Sequence, residues 1–132
     1  MTIRRTDALR SALMTALNTE RGTSAQIQIR TGLNAGTGNQ GTLLGQMTGN
    51  VTAWGSVTNG VLTSNAITAD TSAAATGTAA HYQINTSGGV FLESGLLDGT
   101  DGVTIDNTSI VTGQTIQMSG NWVNTAAYDD GV

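Results

Sequence analysis

Any chemistry in this 132-residue chain must be built from very few groups. The single histidine is His81, so a Ser-His-Asp triad would have to run through it. No serine sits in a Gly-x-Ser-x-Gly elbow, and His81 lies in a strand-like stretch beside Tyr82, so it reads as a structural or surface residue. There is no cysteine, which excludes disulfides, thiolate catalysis and Cys-ligated zinc. Asp98, Asp101 and Asp106 form the densest acidic cluster. Their Asp-Gly spacing superficially matches a calcium loop, but the EF-hand spacing and its closing glutamate are missing. Turn chemistry accounts for Asp-Gly pairs without a metal. Glu93 and Asp98 could in principle pair as carboxylates for glycoside hydrolysis, but no aromatic platform for a sugar ring is evident near either. Gly36-Thr-Gly38 and Gly88-Gly89 lack the strand, G-x-G-x-x-G and helix order of a dinucleotide fingerprint. The expectation is a chain with no catalytic residues, no cofactor and no metal.

The remaining chemistry belongs to surfaces. Aromatics are 4% of the chain, so each tryptophan matters. Trp54 and Trp122 can each bury about 150–250 Å2 and are expected in the core or at an interface. Arg4, Arg5 and Arg10 cluster near the start and complete the candidate interface set with Trp54 and Trp122. An alternative use of Trp54, Tyr82 and Trp122 is a weak glycan platform on a carbohydrate- or cell-surface-binding module.

The elements that would position these groups are mostly strands. Thr, Gly, Asn and Ser make up close to half the chain, a composition suited to pleated surfaces and tight turns. Residues 6–20 read as the one helix, amphipathic, with Thr6 as N-cap and Gly22 at its end. Leu9, Leu13 and Leu17 form its apolar stripe with Ala12 and Ala16, and are expected to pack on a sheet or a neighbouring subunit. From Ala25 to Arg30 the period falls to two. Residues 31–41 are a glycine-rich loop, and a strand follows over 42–47. Asn59-Gly60 predicts a hairpin with a type I′ turn. Further strands are expected at 79–84, 90–97, 103–105, 108–111 and 115–123. The chain is thus expected to be one domain over 1–132: a helix at 6–20, a β body at 24–123 and a tail at 124–132. Its fold class is mainly β, an antiparallel β-sandwich or jelly-roll-like barrel after one N-terminal amphipathic helix.

Charge is unevenly divided. All five arginines lie in the first 30 residues against Asp7 and Glu20, a net +3, while residues 31–132 carry seven acids and no base. That acidic body disfavours nucleic acid. No apolar run approaches the roughly 20 residues of a membrane span. The first residues lack the apolar run of a signal peptide.

The motif order carries a resemblance. Arg-x-x-Asp-Ala-Leu-Arg over 4–10 leads into Gln26-Ile-Gln-Ile-Arg30. Then come Gly41-Thr-Leu-Leu44, Gly77-Thr-Ala-Ala-His-Tyr-Gln-Ile84, Asp106-Asn-Thr-Ser-Ile110 and Gly113-Gln-Thr-Ile116. This order resembles small virion structural proteins of tailed bacteriophages, over most of the chain to about Trp122. The chain departs from that group at Gln83, where relatives often carry a base, and in 124–132. The resemblance implies a capsid decoration (cement) protein, or else a neck, tail or fibre component. Its implied partners are the major capsid protein and copies of itself, as a trimer or dimer, on the virion.

Overall fold

The computed structural model describes residues 4–33, 36–97 and 103–125. The helix, α1, spans Asp7–Arg21. Thr6 is extended before it, and its Oγ1 accepts the Leu9 N–H at 3.1 Å. Gly22 ends it at a φ of 64°, with its own N–H donating to the Asn18 carbonyl at 3.0 Å. Asp7 in the first turn and Arg21 in the last both complement the helix dipole.

Nine strands follow among the described residues: β1 Gln26–Arg30, β2 Leu43–Thr48, β3 Gly55–Thr58, β4 Val61–Ser64, β5 Gly77–Thr78, β6 His81–Asn85, β7 Phe91–Leu96, β8 Ser109–Ile110 and β9 Val123–Thr125. All pairings are antiparallel. One sheet runs β2-β1-β6-β7, a second β3-β4-β9, and a small third β5-β8. The fold is mainly β and sandwich-like, with one helix ahead of the sheets.

The hairpin forms where Asn59-Gly60 demands it. Asn59 has φ 50° and Gly60 φ 77°, the two positive values of a type I′ turn. The alternation also holds through β1 and the residue before it: Ala25, Ile27 and Ile29 are buried. They meet Leu44, Met47, Trp54, Leu62, Tyr82, Ile84, Ile110, Ile116 and Trp122 in one core cluster.

Three expectations need correction. Residues 115–123 are not one strand. Ile116 bridges Asp70, Met118 bridges Ile105, and the Trp122 carbonyl accepts from the Ser64 N–H. The segment changes partner every few residues as it crosses the core, so no continuous ladder forms. Ile116 and Trp122 are nevertheless buried, as the alternation requires. Residues 103–105 likewise contribute only the Ile105 bridge. The expected tail begins inside the fold: Asn124 and Thr125 pair with Leu62 and Val61 of β4, while 126–132 lie outside the described residues.

Of the two packings expected for the helix stripe, a sheet of the same chain takes only Leu17. Leu9 and Leu13 remain 49% and 45% exposed, and Arg10 and Arg21 are its buried residues. Met14 and Leu17 pack partly on the core. The inward side is held by polar contacts to the β3–β4 hairpin. The Asn18 Nδ2–H donates to the Gly55 carbonyl (3.2 Å), and the Gly55 N–H donates to Asn18 Oδ1 (3.0 Å). The Gly60 N–H donates to Ser11 Oγ at 2.9 Å. The Asn18 amide thus satisfies backbone groups at the start of β3 as a neighbouring strand would.

Gly55 permits the close approach of β4 to β3 at this point. A Cβ there would lie 2.1 Å from the Thr63 carbonyl oxygen. Since the obstacle is the backbone of β4, relief requires the two strands of the hairpin to move apart. Gly55→Ala is expected to destabilise by about 2–3 kcal/mol in urea unfolding. An effect under about 0.5 kcal/mol would show that the hairpin yields freely.

Candidate functional site

Three of the five arginines are drawn inside, and this reshapes the expected interface. Arg4 is exposed and Arg5 half-buried. Arg10 is buried. Its Nη1 donates to Asp7 Oδ1 at 2.9 Å, and its stem lies against Gly60, whose Cβ, if present, would meet the Arg10 Cβ at 2.7 Å. Arg10 is therefore a clamp between helix and hairpin rather than a surface cation. The helix is consequently much less basic outside than its sequence implies.

Of the two places expected for Trp54 and Trp122, the structure gives the core, at 1% and 0% exposure. The chain has few aromatics, and three of them are spent on one another. The Trp54 and Trp122 ring centroids lie 5.3 Å apart at 71°, and those of Tyr82 and Trp122 4.7 Å apart at 84°. Both are edge-to-face contacts, the arrangement favoured by the ring quadrupoles. Arg21 enters this cluster from the last turn of α1. Its guanidinium carbon lies 4.7 Å from the Trp54 ring centre and 5.0 Å from that of Trp122. Its Nη2 ion-pairs with Glu93 of β7, and its Nη1 donates to Asn124 Oδ1 of β9 at 2.8 Å. Burial pushes the Arg21 pKa below its ordinary value, while the Glu93 charge and hydrogen bond oppose that shift. One side chain thus joins the helix to two sheets.

Such a cluster has the composition of an aromatic cage for a cation, with the chain's own arginine as occupant. No ring face is left for a sugar, so the platform of Trp54, Tyr82 and Trp122 is not available in this chain. Tryptophan emission is expected to be blue-shifted and weakly quenched by acrylamide. Ready quenching of both rings would contradict their placement.

A second polar assembly covers the other face of the four-stranded sheet. Gln28 faces Gln46 on β2 and Gln83 on β6, forming a row of amides across three strands. Gln28 Nε2 donates to Gln46 Oε1 (3.2 Å), and Gln83 Nε2 to Asn85 Oδ1 (2.8 Å). The loop after β1 folds over this row. The Asn39 N–H donates to Gln83 Oε1 at 2.6 Å, and Gly38 lies against the Phe91 ring. Arg30 is buried beneath the loop. It donates to Gln28 Oε1 (2.9 Å), Asn39 Oδ1 (3.2 Å) and the Gln40 carbonyl (3.4 Å), all neutral acceptors. Burial lowers its pKa as well. All of β6 is buried, one side in the core and the other under this cover. These contacts hold the loop in place.

The remaining sequence candidates are dispersed. His81 is buried, and its Nδ1–H donates to the Gly32 carbonyl at 3.1 Å. Glu93 is committed to Arg21, and Asp106 accepts from the Gln117 amide at the surface. Asp98 and Asp101 lie outside the described residues. Among the described residues, no three His, Asp or Glu side chains converge on a metal-sized site.

The outward side of α1 is what remains as a candidate site. Leu9 and Leu13 stand exposed with Ala12 and Ala16, and Glu20 follows in the last turn. Sequence periodicity found this stripe and assigned it to a sheet or a neighbouring subunit; no sheet of the described residues buries Leu9 and Leu13. Comparison of the chain with protein-family models, curated proteins and solved structures finds no match.

Proposed function

We propose that this chain is a non-enzymatic structural protein of a tailed-bacteriophage virion, a decoration or cement subunit that binds the capsid shell and stabilises it. The motif order from the basic N-terminal segment to Gly113-Gln-Thr-Ile116 supports the class. The observation that carries a surface role is the outward apolar stripe of α1. A helix that buries two arginines and exposes two leucines presents apolar area that a second macromolecule can cover. The acidic body beyond residue 31 favours a protein partner over nucleic acid. Partners under this reading are the major capsid protein and further copies of the chain, at the capsid surface.

The test is a comparison of particles made with and without the protein. Particles lacking it are expected to lose their DNA at lower temperature and lower salt. Equal resistance would end the cement reading. Mass spectrometry of purified virions tests the class itself, because absence of the chain would remove any virion role. Density at the neck or tail instead of the shell would relocate the subunit.

A further inference from the structure

We infer that the outward face of α1 is a two-fold interface with a second copy of this chain, formed by antiparallel helices. The inference stands apart from the particle reading, since the isolated protein suffices to test it. It rests on the spacing of five residues of α1 and on Arg4 ahead of it. Leu9, Ala12, Leu13, Ala16 and Glu20 fall within an arc of about 100° on the helix. A two-fold axis crossing between residues 12 and 13 sets Leu9 against the second copy's Ala16. It also sets Ala12 against the second copy's Leu13. Each large side chain then meets a small one, twice over by symmetry. That is the self-complementarity an isologous contact requires.

Charge follows the same axis. Arg4 is exposed two residues ahead of the Thr6 cap, and Glu20 is exposed in the last turn. Antiparallel pairing brings Arg4 of one copy to the end where Glu20 of the other lies, at both ends of the contact. A parallel pair would oppose like with like. The helix dipoles also favour the antiparallel sense. Alanine at 12 and 16 allows the backbones close approach, and among the described residues the polar clamps at Ser11 and Asn18 engage only the inward side of the helix.

One pair of 15-residue helices falls short of the roughly 1,200 Å2 of a stable interface. The dimer is therefore weak and concentration-dependent, at micromolar Kd or above.

The chain has no cysteine, so a single introduced thiol reports proximity cleanly. Under mild oxidation at high concentration, Ala12→Cys is expected to form a disulfide dimer. Thr15→Cys, on the same helix but off the stripe, is expected to stay monomeric. In sedimentation, Leu13→Glu is expected to raise Kd at least tenfold. Arg4→Glu and Glu20→Arg should each weaken the dimer, and the double exchange should restore it. Equal cross-linking at 12 and 15, or no restoration by the double exchange, overturns the proposal. So does a wild-type chain that stays monomeric at millimolar concentration. If Leu13→Glu lowers the melting temperature of dilute monomer, the face is covered within one chain and the proposal fails.

Discussion

Arg21→Ala is expected to cost about 3 kcal/mol, a fall in Tm of about 12 °C for a domain of this size. The side chain occupies the space between two indole rings and ties α1 to Glu93 and Asn124. Desolvated cation–π contacts reach about 2 kcal/mol, and loss of the buried stem adds a cavity. Relief of the guanidinium's desolvation offsets part of the loss. Arg21→Met separates these contributions. It keeps most of the volume, removes the charge, and leaves Glu93 with access to water. Its cost is expected to stay under about 1.5 kcal/mol. Glu93→Ala should cost more than Arg21→Met, about 2–3 kcal/mol, because it strips the counter-charge from a buried cation. Thermal or urea unfolding of the three variants decides the matter. If Arg21→Met is as damaging as Arg21→Ala, the charge rather than the volume holds the cluster. An Arg21→Ala effect below about 0.5 kcal/mol would exclude both accounts.

Trp122→Ala is expected to be the most damaging single change, at about 4–5 kcal/mol. The ring is fully buried and touches Trp54 and Tyr82 edge-on, with Arg21 over its face. Its backbone is engaged too: the N–H donates to Ser64 Oγ at 2.9 Å, and the carbonyl accepts from the Ser64 N–H at 2.8 Å. These backbone bonds survive the substitution, so the expected loss is side-chain packing alone. Trp122→Phe is expected to cost only about 1–2 kcal/mol. Among the described residues the Trp122 indole N–H has no acceptor, so phenylalanine forfeits area but no hydrogen bond. Arg21 and Trp122 touch, so their effects should not add. In a double-mutant cycle, Arg21→Ala with Trp122→Ala should cost at least 1 kcal/mol less than the sum of the singles. Additivity would mean that the cation and the ring are energetically independent.

Local chemistry was legible wherever a short stretch of chain determines its own conformation. Thr6 and Gly22 mark the helix because capping involves only neighbours three or four residues away. Asn59-Gly60 marks the hairpin because two positive φ values are a local demand. The alternation of β1 and the mainly β class follow for the same reason. The orientation of α1 was not legible. The leucine stripe predicts burial only if the opposing surface is apolar, whereas the surface supplied is the polar start of β3 and the Gly60 turn. Arg10, Ser11, Asn18 and Arg21 find their partners between 33 and 103 residues away, apart from the Asp7 contact. No window of sequence contains that information. The cover over Gln28 and Gln83 was hidden similarly, because an outward glutamine on a strand reads as solvated until a loop closes over it. Among the candidate interface residues, Arg10, Trp54 and Trp122 proved to be interior, while Arg4 kept its exposure.

The bond from Arg21 to Asn124 has a consequence for how the molecule comes into being. It joins residues 103 positions apart, and the same core needs Trp122 between Tyr82 and Trp54. During synthesis the helix emerges first and can form its caps, but its last turn has nothing to lock onto until some hundred residues later. The leading part of the nascent chain must therefore wait with its aromatic slot open. At about 5–20 residues per second, that wait lasts roughly 5–20 seconds. Closure then depends on distant pairings, which are slow to find. Translation speed over that interval therefore bears on when the core can close.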